Sequence, residues 1–294
     1  MGSLAQGSPV LAVCAHPDDE SFGLGAALAA FTERGTPTAV LCLTHGAASS
    51  LGTRQGDLHQ IRAAELAAAA AELGVGDVEL LDYPDGALTQ QPAGLLSGHV
   101  EQAARRTEAS LLLVFDEGGI TGHPDHQQAT RAARLFARRA GLPVLAWSVE
   151  QRVAARLNLE CGTSFVGRPA NQIDCCVEVD RQRQLAAITC HASQAHDNPV
   201  LWRRLELQGN REVFRWLDRA AENPGRQRAP KGCPRGHGAQ RPLCWESLLE
   251  AATTIRAGAM SFAEMLTSLQ VSIPLGASRR YPGLRGGRSW QQSS

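Results

Sequence analysis

Lysine is almost missing from this 294-residue chain: of its 29 basic residues all are arginine except Lys231. They are matched by 29 acidic residues, so the formal net charge is zero. No field of one sign is available to draw in nucleic acid or an acidic membrane, and neither is expected as a partner. No apolar run reaches the roughly 20 residues of a membrane span. Residues 1–9 lack the basic region and long apolar core of a secretory leader. The eight cysteines form no dense, regular framework, and Cys14, Cys42, Cys175 and Cys176 lie inside apolar runs, where thiols act as small hydrophobes. These absences predict a reduced, cytoplasmic protein without a membrane span. No internal repeat and no phosphate-cradling glycine loop is present.

What is there is an ordinary globular composition, 43% apolar and 20% charged, in a chain long enough to bury a sizeable core. Segments 10–15, 38–44, 78–81, 110–115, 144–149 and 173–179 read as strands, most of them apolar on both faces. Between them, 21–34, 57–73, 97–107 and 127–140 read as helices, with Asp57 as an N-cap and Gly35, Gly74 and Gly141 as stops. Further helix is expected over 181–192 and 198–219. Regular alternation of strand and helix predicts an α/β fold, a Rossmann-like, mostly parallel sheet with helices on both faces. In such a sheet the active site lies beyond the C-terminal ends of the strands. Past about residue 222 the composition turns to proline, glycine and arginine. The chain therefore divides into a catalytic-type domain over 1–221 and a linker and tail over 222–294, expected to be partly disordered.

Two polar clusters stand where that site should be. Ala15-His16-Pro17-Asp18-Asp19-Glu20 follows the first strand, and His123-Pro124-Asp125-His126 follows the fourth. Each carries two candidate groups three residues apart, a spacing that places side chains on one side of a helix entry. His16, Asp19 and His126 make a two-histidine, one-carboxylate set, the ligand inventory of a catalytic zinc with an open position, one ion per chain. Zinc lowers the pKa of a bound water to roughly 7. Asp18, adjacent but not a ligand, is the candidate base for its proton. His123 is the candidate donor to an oxyanion, and Asp125 the candidate group orienting His123. The inventory suits hydrolysis of an amide or ester. Taken singly, an acidic helix start is a cap and a His-Pro-Asp-His turn a solvated loop; two such motifs after two strands of one sheet are not explained that way.

The pair of motifs resembles the LmbE / PIG-L family of zinc-dependent deacetylases, which remove acetyl groups from N-acetylglucosaminyl units. The resemblance extends to Arg62-Ala63-Ala64-Glu65, Tyr83-Pro84-Asp85-Gly86 and His191-Ala192-Ser193-Gln194, and covers about residues 8–219. It implies His16, Asp19 and His126 as zinc ligands, Asp18 as general base and His123 as oxyanion stabiliser, the same roles the residue chemistry gives. It also implies that Arg62 and Asp85 face a small sugar substrate. The local alternatives are an Arg62–Glu65 pair on a solvated helix and a turn-forming Asp85. His191 and Gln194 either line the pocket or cap a helix; Glu20 supports the turn; His45 has no assigned role. Two other functions share these features: an amidase for a larger thiol conjugate or antibiotic amide, and a sugar-binding relative without activity. Cys233, His237 and Cys244 fit no common structural zinc spacing.

Overall fold

A computed structural model describes residues 8–49, 51 and 57–219. The linker and tail expected over 222–294, with Cys233, His237 and Cys244, lie outside the described residues.

In chain order the elements are β1 (Val10–Cys14), α1 (Asp19–Phe22), α2 (Gly25–Glu33), β2 (Thr38–Thr44), α3 (Leu58–Leu73), β3 (Asp77–Tyr83), α4 (Ala93–Arg106), β4 (Leu111–Phe115), α5 (Gly119–Gly122), α6 (Pro124–Ala140) and β5 (Val144–Glu150). Then follow α7 (Gln151–Cys161), β6 (Gly167–Arg168), β7 (Cys175–Glu178), α8 (Gln182–Cys190), α9 (Ala192–Ala195), α10 (Pro199–Gln208) and β8 (Arg211–Asp218). The strands form one sheet in the order β3-β2-β1-β4-β5-β8-β7, with β6 beside the end of β5. The first five pair in parallel; β8 runs antiparallel to both β5 and β7. This is the expected α/β class.

The apolar strands are explained by cores on both faces. Along β1, Val10, Ala12 and Cys14 join a cluster built with α2, α3 and α7, while Leu11 and Val13 join one built with α4 and α6. Leu11, Leu112 and Leu113 are fully buried, each worth about 1.5–3 kcal/mol relative to an exposed side chain. Helix ends follow the local chemistry: the Asp57 carboxylate accepts from the His59 N–H at 3.0 Å, and Gly74 closes α3 in the left-handed region at φ 76°.

Three expectations are corrected. The helix read over 21–34 is two helices, α1 ending at Phe22 and α2 starting at Gly25; Gly23 between them passes so close to Phe115 that an added Cβ would lie 2.3 Å from its ring. The helix read from 127 begins at Pro124, with His123 as N-cap and proline at the first turn, where its missing N–H costs nothing. The helix read over 198–219 stops at Gln208, and residues 211–218 are the inserted strand β8. Gly209 breaks it, at φ 57° and ψ −137°, a conformation that only glycine adopts readily.

The order places the switch point. The chain moves outward from β1 to β2 and β3, then returns to lay β4 and β5 on the other side. The crevice between the ends of β1 and β4 is where such sheets bind ligands, and those are the strands that the two polar motifs follow.

Candidate metal centre

The turn after β1 is held in a conformation its sequence does not favour. Asp18 has φ 127° and ψ −27°, which costs a non-glycine residue roughly 1–3 kcal/mol. Several contacts over-determine it. The Asp18 N–H donates to Glu20 Oε2 at 2.9 Å. The Asp18 carbonyl accepts from the N–H groups of Ser21 and Phe22. Arg62 donates to the Asp18 carboxylate at 2.8 Å and also to the carbonyls of Pro17 and Gly46. Asp19 is fixed by its own turn: Oδ2 accepts from the N–H groups of Ala15 and His16 at 2.9 and 3.0 Å. Asp19 Oδ1 is left facing His126 Nε2 at 3.1 Å.

His126 sits in the first turn of α6, and its Nδ1 lies 3.0 Å from the Gly119 carbonyl. A carbonyl only accepts, so that nitrogen carries the proton and Nε2 is a bare lone pair. Gly119 is needed there: it turns at φ 69°, and a Cβ would meet Gln127 Cγ at 2.9 Å. His16 is assigned by the same logic. Its Nε2 faces Asp85 Oδ1 at 3.0 Å and Asp125 Oδ2 at 3.4 Å, so the proton lies on that side. His16 Nδ1 then presents its lone pair to His126 Nε2, 3.2 Å away.

Three lone pairs therefore converge: two imidazole nitrogens and a carboxylate oxygen. A positive charge among them, a proton or a metal ion, is what lets them approach so closely. Ligands about 2.0–2.1 Å from a tetrahedral zinc are about 3.3–3.4 Å from one another; the two contacts through His126 Nε2 are 3.1 and 3.2 Å. The residues present fit a divalent metal. The surrounding carboxylates favour positive charge here, carried by protons on the imidazoles or by a metal that displaces them. Burial opposes charge on His16, yet Asp125, Asp85, Asp19 and Asp18 hold its pKa up at about 10. Burial likewise opposes charge on Asp19, and His126 and His16 hold its carboxyl well below the usual range.

Asp18 and His123 flank these donors. Burial raises the Asp18 pKa to about 6 against the pull of Arg62. His123 is half-buried, its ring 4.9 Å from that of His16 and 4.8 Å from that of His126. Its Nδ1 accepts from the Asp125 N–H at 3.2 Å, which leaves the proton on Nε2. Burial, with His126 and His16 nearby, lowers its pKa and keeps the ring a neutral donor.

Some expected roles change. Asp125 is fully buried, but its carboxylate goes to His16 and to the N–H groups of Gly86 and Leu88, not to His123. It orients a candidate ligand instead. Asp85 does so too, bridging His16 and the Ala48 N–H. Arg62 is only 2% exposed and grips the Asp18 turn, so a solvated pair with Glu65 does not describe it. Glu65 instead accepts from the N–H and hydroxyl of Ser193. One connection was missed by sequence reasoning: His191 Nε2 lies 2.6 Å from Glu20 Oε1, with both side chains fully buried. His191 thus holds the glutamate that holds Asp18. The signal available was the His191-Ala192-Ser193-Gln194 stretch; its partner lies 171 positions away.

Residues 11–137 match the family described as PIG-L, GlcNAc-PI de-N-acetylase. Over that segment the chain carries a PIG-L (LmbE) family domain. A probable N-acetyl-alpha-D-glucosaminyl L-malate deacetylase 2 of Bacillus anthracis is 29% identical over 218 residues, spanning 71% of this chain and 92% of the relative. A 1D-myo-inositol 2-acetamido-2-deoxy-alpha-D-glucopyranoside deacetylase of Nocardiopsis dassonvillei is 34% identical over 170 residues, but the match spans only 48% of this chain and 60% of that relative. Among solved structures, the 4-carboxy-2-hydroxymuconate hydratase of Pseudomonas putida superposes with a TM-score of 0.55 at 21% identity, covering 74% of this chain and 99% of its own. At that identity the likeness concerns the fold alone. Among the described residues no helix is long and apolar enough to cross a membrane.

Proposed function

We propose that this protein hydrolyses the acetyl amide of a small N-acetylglucosaminyl compound, using zinc held by His16, Asp19 and His126. The observation that carries the reading is the convergence of three lone-pair donors with a carboxylate and a neutral imidazole beside them. The names of its relatives support the substrate class.

A zinc ion in this position supplies Lewis acidity, which brings the pKa of a water down to roughly 7. Asp18 takes the proton of the attacking water. Its anion is held by Arg62, while burial keeps its affinity for a proton high enough to accept one near neutrality. His123 donates its Nε2–H to the oxygen that gains charge as the carbonyl is attacked. Asp18 then returns its proton to the departing amine, and acetate and the free glucosamine leave. Asp85 and Asp125 keep the His16 proton on the outer nitrogen throughout.

The test is amine release from N-acetylglucosaminyl compounds with different aglycones, with metal content measured on the same preparation. Amine release that rises with zinc occupancy is expected. A zinc-loaded protein that releases no amine from any of them overturns the reading.

A further inference from the structure

A second set of donors lies at the rim of the site and belongs to none of the roles above. His45 follows β2, His59 is in the first turn of α3, and Asp82 is in β3. One ligand atom from each lies within 4.8 Å of the others. His45 Nδ1 faces the His59 backbone carbonyl at 3.2 Å, so it carries the proton and Nε2 is the free lone pair. The two rings lie 4.8 Å apart and tilted by 32°. His59 Nδ1 is 3.7 Å from Asp82 Oδ1, longer than a hydrogen bond. The three groups therefore approach one another without satisfying one another.

They also line a concavity of about 340 Å³, together with Ala47, Tyr83, Pro84 and Asp85. Asp85 is the residue whose carboxylate receives the His16 proton. The concavity thus adjoins the centre through a shared wall.

We infer that His45, His59 and Asp82 form a second, weaker divalent-metal site at the mouth of the centre, and that its occupation by zinc obstructs substrate entry. Two imidazoles and one carboxylate are donors suited to zinc and poorly suited to calcium or magnesium. The side chains of His59 and Asp82 are 51% and 81% exposed, so the ligands are not preorganised and this site fills after the buried one. The obstruction rests on the deacetylase reading; the binding does not.

The experiment titrates the full-length chain with zinc chloride in equilibrium dialysis, comparing the wild type with His59→Ala and Asp82→Asn. Neither side chain takes part in the proposed chemistry, and Asp82 is too exposed for its amide to disturb folding. The wild type is expected to bind one more zinc per chain than either variant, at concentrations above those that fill the first site. Amine release is expected to fall with excess zinc in the wild type and to stay level in both variants, with equal rates at low zinc. Equal zinc counts in wild type and variants overturn the site. One extra zinc without any fall in rate overturns the obstruction and leaves the site standing. If no protein releases amine, the deacetylase reading fails, and the zinc counts still decide the binding.

Discussion

Two histidine–histidine–aspartate sets stand on either side of Asp85, and they differ in what surrounds them. In the buried set each donor has its remaining polar atoms fixed. Asp19 is held by two backbone N–H groups, His16 by two carboxylates, His126 by a carbonyl. In the rim set only His45 is held, and the other two reach into solvent. Ligand type is the same; ordering before binding is not. Since every side chain immobilised on binding costs free energy, the buried set is the one built for permanent occupancy.

The comparison breaks most completely if the buried set loses a donor. His126→Ala is expected to abolish both high-affinity metal and turnover, measured by metal content and amine release, while the rim site still binds zinc in dialysis. Asp18→Asn separates holding a metal from using it. Metal content should be unchanged and turnover should fall about 10²–10⁴-fold, the range for a lost general base. Retained activity would remove Asp18 from the chemistry. Asp125→Asn tests the ordering itself. Metal affinity, read by competition with a chelator, should weaken about 10–100-fold, while the rim site is unaffected.

The smallest expected effect on turnover comes from the support beneath His126. Asp116 is buried; it receives Arg168 and the Ser148 hydroxyl, and both its carboxylate and its carbonyl hold the Gly118–Gly119 turn that presents the carbonyl to His126. Burial works against its charge, but Arg168, Ser148 and Arg215 pull its pKa below the ordinary value. A depressed carboxylate contributes stability above the unfolded pKa of about 3.9, and that contribution is lost as pH falls through this value toward the folded one. Thermal melting from pH 6 down to pH 3 should therefore drop more steeply in the wild type than in Asp116→Asn. At pH 7 the variant should be less stable by about 3 kcal/mol, the loss of one partner from a buried ion pair. Parallel melting curves would show that Asp116 carries no such linkage.

What could be read from the chain alone follows the same division. The parallel strands were legible because both of their faces are covered, which leaves β1, β2, β4 and β5 apolar over most of their length. The three donors were legible because each motif is local and follows a strand end. The partners of those donors were not. That Asp125 serves His16 depends on how the β4–α6 turn lies across the β1–α1 turn, and the Glu20–His191 contact joins the first helix to the junction of the eighth and ninth. The strand β8 was misread because its apolar positions, Val213, Phe214 and Leu217, suit a helix as well. Its true state is decided by pairing with β5 and β7, which no local pattern encodes.

Asp85 has one oxygen on His16 Nε2 and the other on the Ala48 N–H, in the segment between β2 and α3. The same carboxylate therefore ties the outer nitrogen of His16 to the chain that leaves β2. Thermodynamic linkage makes the tie two-way. Whatever factor the metal contributes to holding Ala48 in place, a ligand that fixes Ala48 returns to the affinity for metal. A ligand that fixed Ala48 and a metal at His16 would thus be coupled through one histidine–aspartate lever.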